Sequence, residues 1–436
     1  MQKYYKGIIA GCCVAAGLFI ALIFTQLHKP ITLEIGIFAG SNWDVDSANS
    51  YVIIDKAIER FEEENPGVKV HYYSGIRRED YSEWFSEKLL EGEAPDVFFV
   101  LSEDFNQFAE AGVMKNIDQY LQKDEEIELD DFYETALMSG TYNGHQYALP
   151  YETVPTLMFV NRTLLEQNGI EVPENNWTWE DLSGICGKIT RDTDGDGTID
   201  QFGICNYDWL DAAFSNGATI FNEDGTECFL KDVSVTESIK YIKSLRELNG
   251  GSLATTDDFD AGSVAFMPLP FAEYRTYKTY PYKIKKYTKF KWDCITMPAG
   301  PNGGNTSEIS TLLMGISAAS KHEELAYSFL KLMTSDPEIQ MDIFEYSQGV
   351  SALKAVTESK EAEEILQMDM EKNEKFIDNH LVGNVIEGGA VTPKFQKYEG
   401  AITLADSEIN SMLDGNSNID NSIRILQQKV TQYLRR

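Results

Sequence analysis

The feature that most constrains this chain is a hydrophobic period that switches back and forth between Ile31 and Leu101. Ile31-Thr32-Leu33-Glu34-Ile35-Gly36-Ile37-Phe38 alternates as a strand does. Ile54, Ala57, Ile58 and Phe61 then share one helical face, and Asn65-Pro66-Gly67 stops that helix. Val68, Val70 and Tyr72 alternate again, and residues 80–91 read as a second helix. Gly92 and Pro95 lead into the apolar run Val97-Phe98-Phe99-Val100-Leu101. A β-α-β-α-β order with such short links predicts a largely parallel, doubly wound α/β sheet. Crevices in sheets of that kind lie beyond the carboxyl ends of the strands, here the loops 40–46, 74–78 and 102–104.

At roughly 150 residues per domain, 436 residues make two or three domains. The 37 Lys and Arg against 70 Asp and Glu leave a net charge of −33, which argues against a nucleic-acid partner because phosphate binding needs a basic face. Residues 1–30 stand apart. Lys3 and Lys6 precede the apolar run from Gly7 to Phe24, which as a helix at about 1.5 Å per residue nearly spans a bilayer. The lysines predict an inside amino terminus with the remainder exported. Ile9-Ala10-Gly11-Cys12 also resembles a lipoprotein cleavage site, but most of the apolar run follows Cys12 instead of preceding it. An uncleaved membrane anchor helix is the expectation, and a lipid on Cys12 the alternative. Cys186, Cys205, Cys228 and Cys294 are too sparse for a disulfide framework; one bridge or free buried thiols both remain open.

Further segments carry a resemblance that runs from about Thr32 to the carboxyl end. They are Glu91-Gly92-Glu93-Ala94-Pro95-Asp96-Val97, Tyr147-Ala148-Leu149-Pro150 with Val160-Asn161-Arg162, and Trp177-Thr178-Trp179-Glu180-Asp181-Leu182. After them come Ala261-Gly262-Ser263-Val264-Ala265-Phe266, Trp292-Asp293 with Met297-Pro298-Ala299-Gly300, and Met314-Gly315-Ile316-Ser317. In this order they resemble the extracellular solute-binding proteins of ABC importers, in the carbohydrate-binding, maltose-binding-protein-like group. The resemblance implies two doubly wound lobes joined by exchanged crossing strands and closing over a sugar. Lobe 1 would take residues 31–150 plus 293–314, and lobe 2 residues 151–291 plus 315–436. It also implies a monomer that delivers its ligand to the transmembrane subunits of a permease.

Sugars present C–H faces and many hydroxyls, so their sites pair aromatic rings with acids and amides. Trp43 and Asp44 follow the first strand. Glu103 follows the third, where Ser102 and the acids also suit a helix start. Tyr151 and Glu152 lie just after the first crossing. Trp209 sits among polar residues as a stacking platform or a core residue, Asn216 precedes Gly217, and Tyr274 stands where the family carries a stacking aromatic. Arg77 and Arg78 either reach the cleft or sit as solvated charges, the second being the commoner case.

Asp192-Thr193-Asp194-Gly195-Asp196-Gly197-Thr198-Ile199-Asp200 follows the first nine positions of an EF-hand loop. Asp192, Asp194, Asp196 and Asp200 would offer side-chain oxygens and Thr198 a carbonyl to Ca²⁺. Gly203 stands where the bidentate acid belongs, so a structural ion is optional and no other cofactor is expected. Nothing marks a catalytic pair, and binding without turnover is the expected activity. A glycoside hydrolase and a tethered sensor feeding a signalling receptor are the alternatives.

Overall fold

The computed structural model describes residues 30–43, 45, 49, 51–251, 253–278, 290–367, 379–393, 395–415 and 418–435. The amino-terminal apolar run with Cys12, and Asp44, lie outside the described residues. Among the described residues no helix is long and apolar enough to cross a membrane.

The expected alternation is present as β1 (Ile31–Gly36), α1 (Val52–Glu64), β2 (Val68–Tyr72), α2 (Arg78–Glu91), β3 (Val97–Val100) and α3 (Ser102–Glu110). β1 lies parallel to both neighbours, with Leu33 opposite Val70 and Ile35 opposite Val97. Its inward residues Leu33 and Ile35 are fully buried in one cluster with Ile54, Ala57 and Phe61 of α1. Gly92 ends α2 at φ 73°, the left-handed stop that glycine adopts without a Cβ penalty. At Gly36 a Cβ would stand 3.0 Å from Pro95 Cγ and 3.1 Å from Phe98 Cβ, so glycine is needed for β1 and β3 to close up.

After a small hairpin of β4 (Thr141–Tyr142) and β5 (His145–Gln146), the chain enters β6 (Ala148–Asn161), 14 residues of nearly unbroken burial. Then come β7 (Phe202–Ile204), α4 (Trp209–Ser215), α5 (Val233–Leu248), β8 (Val264–Pro270), α6 (Phe271–Lys278), β9 (Trp292–Ile295) and β10 (Ile309–Ile316). The strand order is β2-β1-β3-β10-β6-β8-β7, with β9 also on β6. β6 joins the two halves of this sheet. Its amino-terminal part pairs with β10, Thr153 opposite Thr311, while its carboxyl-terminal part pairs with β8 and β9, Met158 opposite Pro268 and Phe159 opposite Cys294. Proline cannot donate to a ladder. Pro150 sits at the register shift between Leu312 and Leu313, and Pro155 at the last β10 pair, Ile309.

The carboxyl-terminal third departs from the expected division. α7 (Glu323–Ser335) and α8 (Pro337–Tyr346) pack on α1, and α7 also on β10, in the first half of the sheet. Phe329 meets Phe61 edge-on at 5.2 Å. α9 (Asn379–Glu387) packs on β6 and on the helix Glu134–Met138, again in the first half. Among the described residues of this third, α10 (Tyr398–Asp414) and α11 (Ile419–Arg435) return to α5 in the second half. The return from β9 to β10 likewise falls between residues 295 and 309, not at 293. An amphipathic stripe shows that a helix buries a face but not which sheet it covers. Cys186, Cys205 and Cys228 are free thiols, and they and Cys294 are all buried.

Because Phe61 is 2% exposed and bridges α1 to α7, Phe61→Ala should destabilise the chain by about 3–5 kcal/mol. Chemical denaturation of wild type and variant measures this, with an unchanged slope expected if only stability has moved.

Candidate functional site

Strand directions determine what faces what. β1, β2 and β3 are parallel, so their carboxyl ends lie on one edge of the first half. β8 runs antiparallel to β6, and β7 parallel to β8, so the carboxyl ends of both point back toward that edge. The loops after these strands therefore line an interhalf cleft.

On the first-half wall, three strand ends supply one hydrogen-bonded group. Arg78, at the start of α2, donates through Nε to Asn42 Oδ1 and through Nη2 to Glu103 Oε1, each at 3.2 Å. Glu103 opens α3, where a carboxylate suits the helix dipole. Behind it Tyr81 donates to the carbonyls of Gly36 and Phe99 at 2.9 Å, tying α2 to both strands. Ser82 donates to Asp104 at 2.6 Å, and burial still raises the Asp104 carboxyl above its ordinary value.

On the second-half wall, Asn206 takes a left-handed backbone (φ 55°) just past β7 and donates to Thr256 Oγ1 at 2.9 Å. Asp208 caps α4, accepting from the amides of Leu210 and Asp211 at 2.8 and 2.9 Å in a reciprocal capping box with Asp211. Both carboxyls are raised. Desolvation in the concave wall leads; for Asp211 the charge of Asp208 comes next, and Glu308 adds to both.

At the floor Glu152, 3% exposed on β6, accepts from Trp43 Nε1 at 2.8 Å and from Ser347 Oγ. Arg275 of α6 comes from the second half and donates to the carbonyls of Phe344 and Ser347 at the end of α8. The last carbonyls of a helix lack intrahelical partners, and a cation there is favourable. Burial pushes the Glu152 carboxyl up to about 7, against the lowering pull of Ser347, Trp43 and Arg275, and pulls the Arg275 guanidinium down to about 10. No larger side chain fits beside them, since a Cβ on Gly349 would stand 2.9 Å from Glu152 Oε2.

The structure thus brings Trp43, Glu103 and Glu152 to the cleft, while Asp44 lies outside the described residues. Four other expected contacts are packed inward. Tyr151 lies against Phe99 at 5.1 Å. Trp209, 1% exposed, donates to Asp406 at 3.2 Å within the second-half core and offers no stacking face, because the first turn of α4 points it inward. Asn216 is fully buried and pins the loop 300–303, its Oδ1 accepting from the Asn302 amide at 2.9 Å. Tyr274 stacks on Phe271 at 5.2 Å and meets Trp292 edge-on. Arg78 was weighed and set down as a solvated charge, and Arg275 was passed over. The strand-end rule had already put Arg78 in a crevice loop; no sequence signal pointed Arg275 at a helix end seventy residues away.

In the Asp-rich loop, Asp192, Asp194 and Asp200 bring one oxygen each within 4.8 Å of one another. Asp192 also accepts from the amides of Gly195 and Gly197 at 2.7 Å, which lowers its carboxyl. Gly203 lies in β7 and brings no acid.

The sequence profile described as bacterial extracellular solute-binding protein matches residues 46–340. An uncharacterized lipoprotein of Streptomyces antibioticus is 23% identical over 357 residues, 75% of this chain and 70% of that one. The maltotriose-binding protein of Pyrococcus abyssi is also 23% identical, over 57% of this chain and only 52% of its own length. Among solved structures, the sugar-binding protein MalE of Xanthomonas citri superposes with a TM-score of 0.75 at 15% identity, covering 93% of this chain and 97% of that one. An ABC substrate-binding protein of Listeria monocytogenes in complex with cycloalternan gives 0.67 at 20%, covering 93% and 98%. At such identities the structural likeness is one of fold.

The Glu152 carboxyl, ordinarily near 4.5 and here about 7, is held by a fold that penalises its charge. That penalty is absent below pH 4.5 and complete above pH 7, so stability from this group falls as pH rises through the interval. At 1.36 kcal/mol per unit the loss is roughly 3 kcal/mol. Glu152→Gln should flatten the melting temperature between pH 5 and 8 and raise it at pH 8, as read by calorimetric scans.

Proposed function

This chain belongs to the bacterial extracellular solute-binding protein family, and on that premise we propose that it is the extracytoplasmic binding component of an ABC importer for a sugar or oligosaccharide. The observation that carries the reading is the Asn42–Arg78–Glu103 wall, which offers donors and acceptors to vicinal hydroxyls across from Asn206 and Asp208. The two halves close on the ligand as lobes about β6 and β10, a hinge transition drawn by contacts to both walls. Binding is without turnover. The protein acts as a monomer that hands its ligand to the permease, held at the outer face of the cell membrane by the amino-terminal segment or a lipid on Cys12. No nucleic acid is involved.

The test is thermal shift and calorimetry of the full-length chain in detergent against a glycan panel that includes maltotriose. A ligand at a hundred times its Kd should stabilise the native state by about 2.7 kcal/mol. Arg78→Ala and Glu103→Ala should each weaken binding about tenfold, near 1.4 kcal/mol. Saturable binding with intact glycan supports the reading; no binding to any saccharide, or release of cleaved product, contradicts it.

The same loop chemistry supports a structural Ca²⁺ held by Asp192, Asp194, Asp196, Asp200 and the Thr198 carbonyl, all oxygen donors as a hard cation requires. Millimolar Ca²⁺ should raise the melting temperature, EDTA should reverse it, and Asp192→Asn should abolish the response without changing saccharide affinity.

A further inference from the structure

A cavity of about 290 Å³ lies between the two halves on the opposite sheet face from Glu152. Strand alternation separates the two sites. Leu312, opposite Glu152, faces the helices α1 and α8, whereas Thr311 and Leu313 turn to the α3 face, where Leu313 packs with Phe98 and Phe105. Phe105 and Asn106 of α3 form one wall, Phe221 and Val391 the facing one, and Thr311 and Leu313 the floor.

Asn106 makes this more than a packing gap. It is 8% exposed and lines the cavity, and among the described residues its carboxamide has no hydrogen-bond partner. A buried polar group in that condition calls for a partner from outside the fold. The amide offers a donor and an acceptor side by side, and the walls around it are mostly hydrocarbon. The volume is near the lower limit for small-molecule pockets. The lining hydroxyls of Ser102, Ser139, Thr141 and Thr392 already donate within the protein, to the carbonyls of Thr311, Thr135 and Leu137 and to Glu308 Oε1, so a sugar ring would find few open partners and pay a desolvation cost. The complementary molecule is compact, uncharged and single-ringed, with an edge that pairs with a carboxamide.

We propose that this cavity is a second ligand site, distinct from the sugar cleft, which takes a small neutral cyclic or aromatic amide paired edge-to-edge with Asn106. Both halves supply walls, so the cavity changes shape when they move relative to one another.

The probe is 4-fluorobenzamide with the full-length chain in detergent, followed by ¹⁹F line broadening, and benzamide soaked into crystals. Wild type should broaden the resonance saturably at sub-millimolar to millimolar probe, with density against Asn106. Asn106→Leu should raise the Kd at least tenfold. Thr219→Tyr, at the exposed rim, should do the same without touching the buried wall, which covers the case where the first variant fails to fold. Arg78→Ala, on the other face, should leave the probe's affinity unchanged. Ordered waters alone on Asn106 in soaked crystals, or broadening equal in wild type and Thr219→Tyr, would overturn the proposal.

Discussion

Everything in this fold depends on one strand being shared. β6 is buried from Ala148 to Pro155 and again from Leu157 to Asn161, and its two ends answer to different partners. Antiparallel pairing of β8 to β6 turns the carboxyl ends of the second-half strands toward those of the first. The cleft is therefore a consequence of strand direction and not of any particular loop. Two prolines within this strand are tolerated because each falls where the ladder is already irregular or ending, and that is where a sheet can bend without losing further hydrogen bonds.

The chemistry at the cleft is built from charges that the protein has largely answered itself. Arg78 is held by Asn42 and Glu103, Asp208 by the amides of α4, and Arg275 by the carbonyls at the end of α8. Such groups are held in place before a ligand arrives, which lowers the ordering cost of binding. Glu152 is the exception in kind. It is buried enough that its charge is disfavoured, yet Trp43 and Ser347 both donate to it, so the first-strand loop, the crossing strand and the end of α8 meet at one carboxyl. A buried polar cluster of this sort specifies an arrangement more than it stabilises one.

Much of this was legible in the sequence and some was not, for identifiable reasons. The first five elements were readable because period and turn signals are local: Ile54, Ala57 and Phe61 need only their own spacing to predict a buried face. The family segments located β6, β8 and β10 in order. Helices α7 and α8 were placed in the wrong half because amphipathicity is silent about partners, and tertiary contacts such as Phe61–Phe329 for α7 and Lys56–Asp342 for α8 decide it. At the site, residue type suggested Trp209 and Tyr274 as stacking platforms, but a ring's direction depends on helix phase and neighbours, and both point inward. Arg78 was discounted because an isolated arginine is usually solvated; its role emerges only when Glu103, twenty-five residues on, is brought beside it.

The most direct measurement is a crystal structure of the full-length chain with a saccharide identified by panel screening. Density lying between the Asn42–Arg78–Glu103 wall and the Asn206–Asp208 wall, with an intact glycosidic bond and both halves in contact with it, is the predicted result. A saccharide bound elsewhere on the surface, or one touching a single half with the cleft empty, would contradict the account.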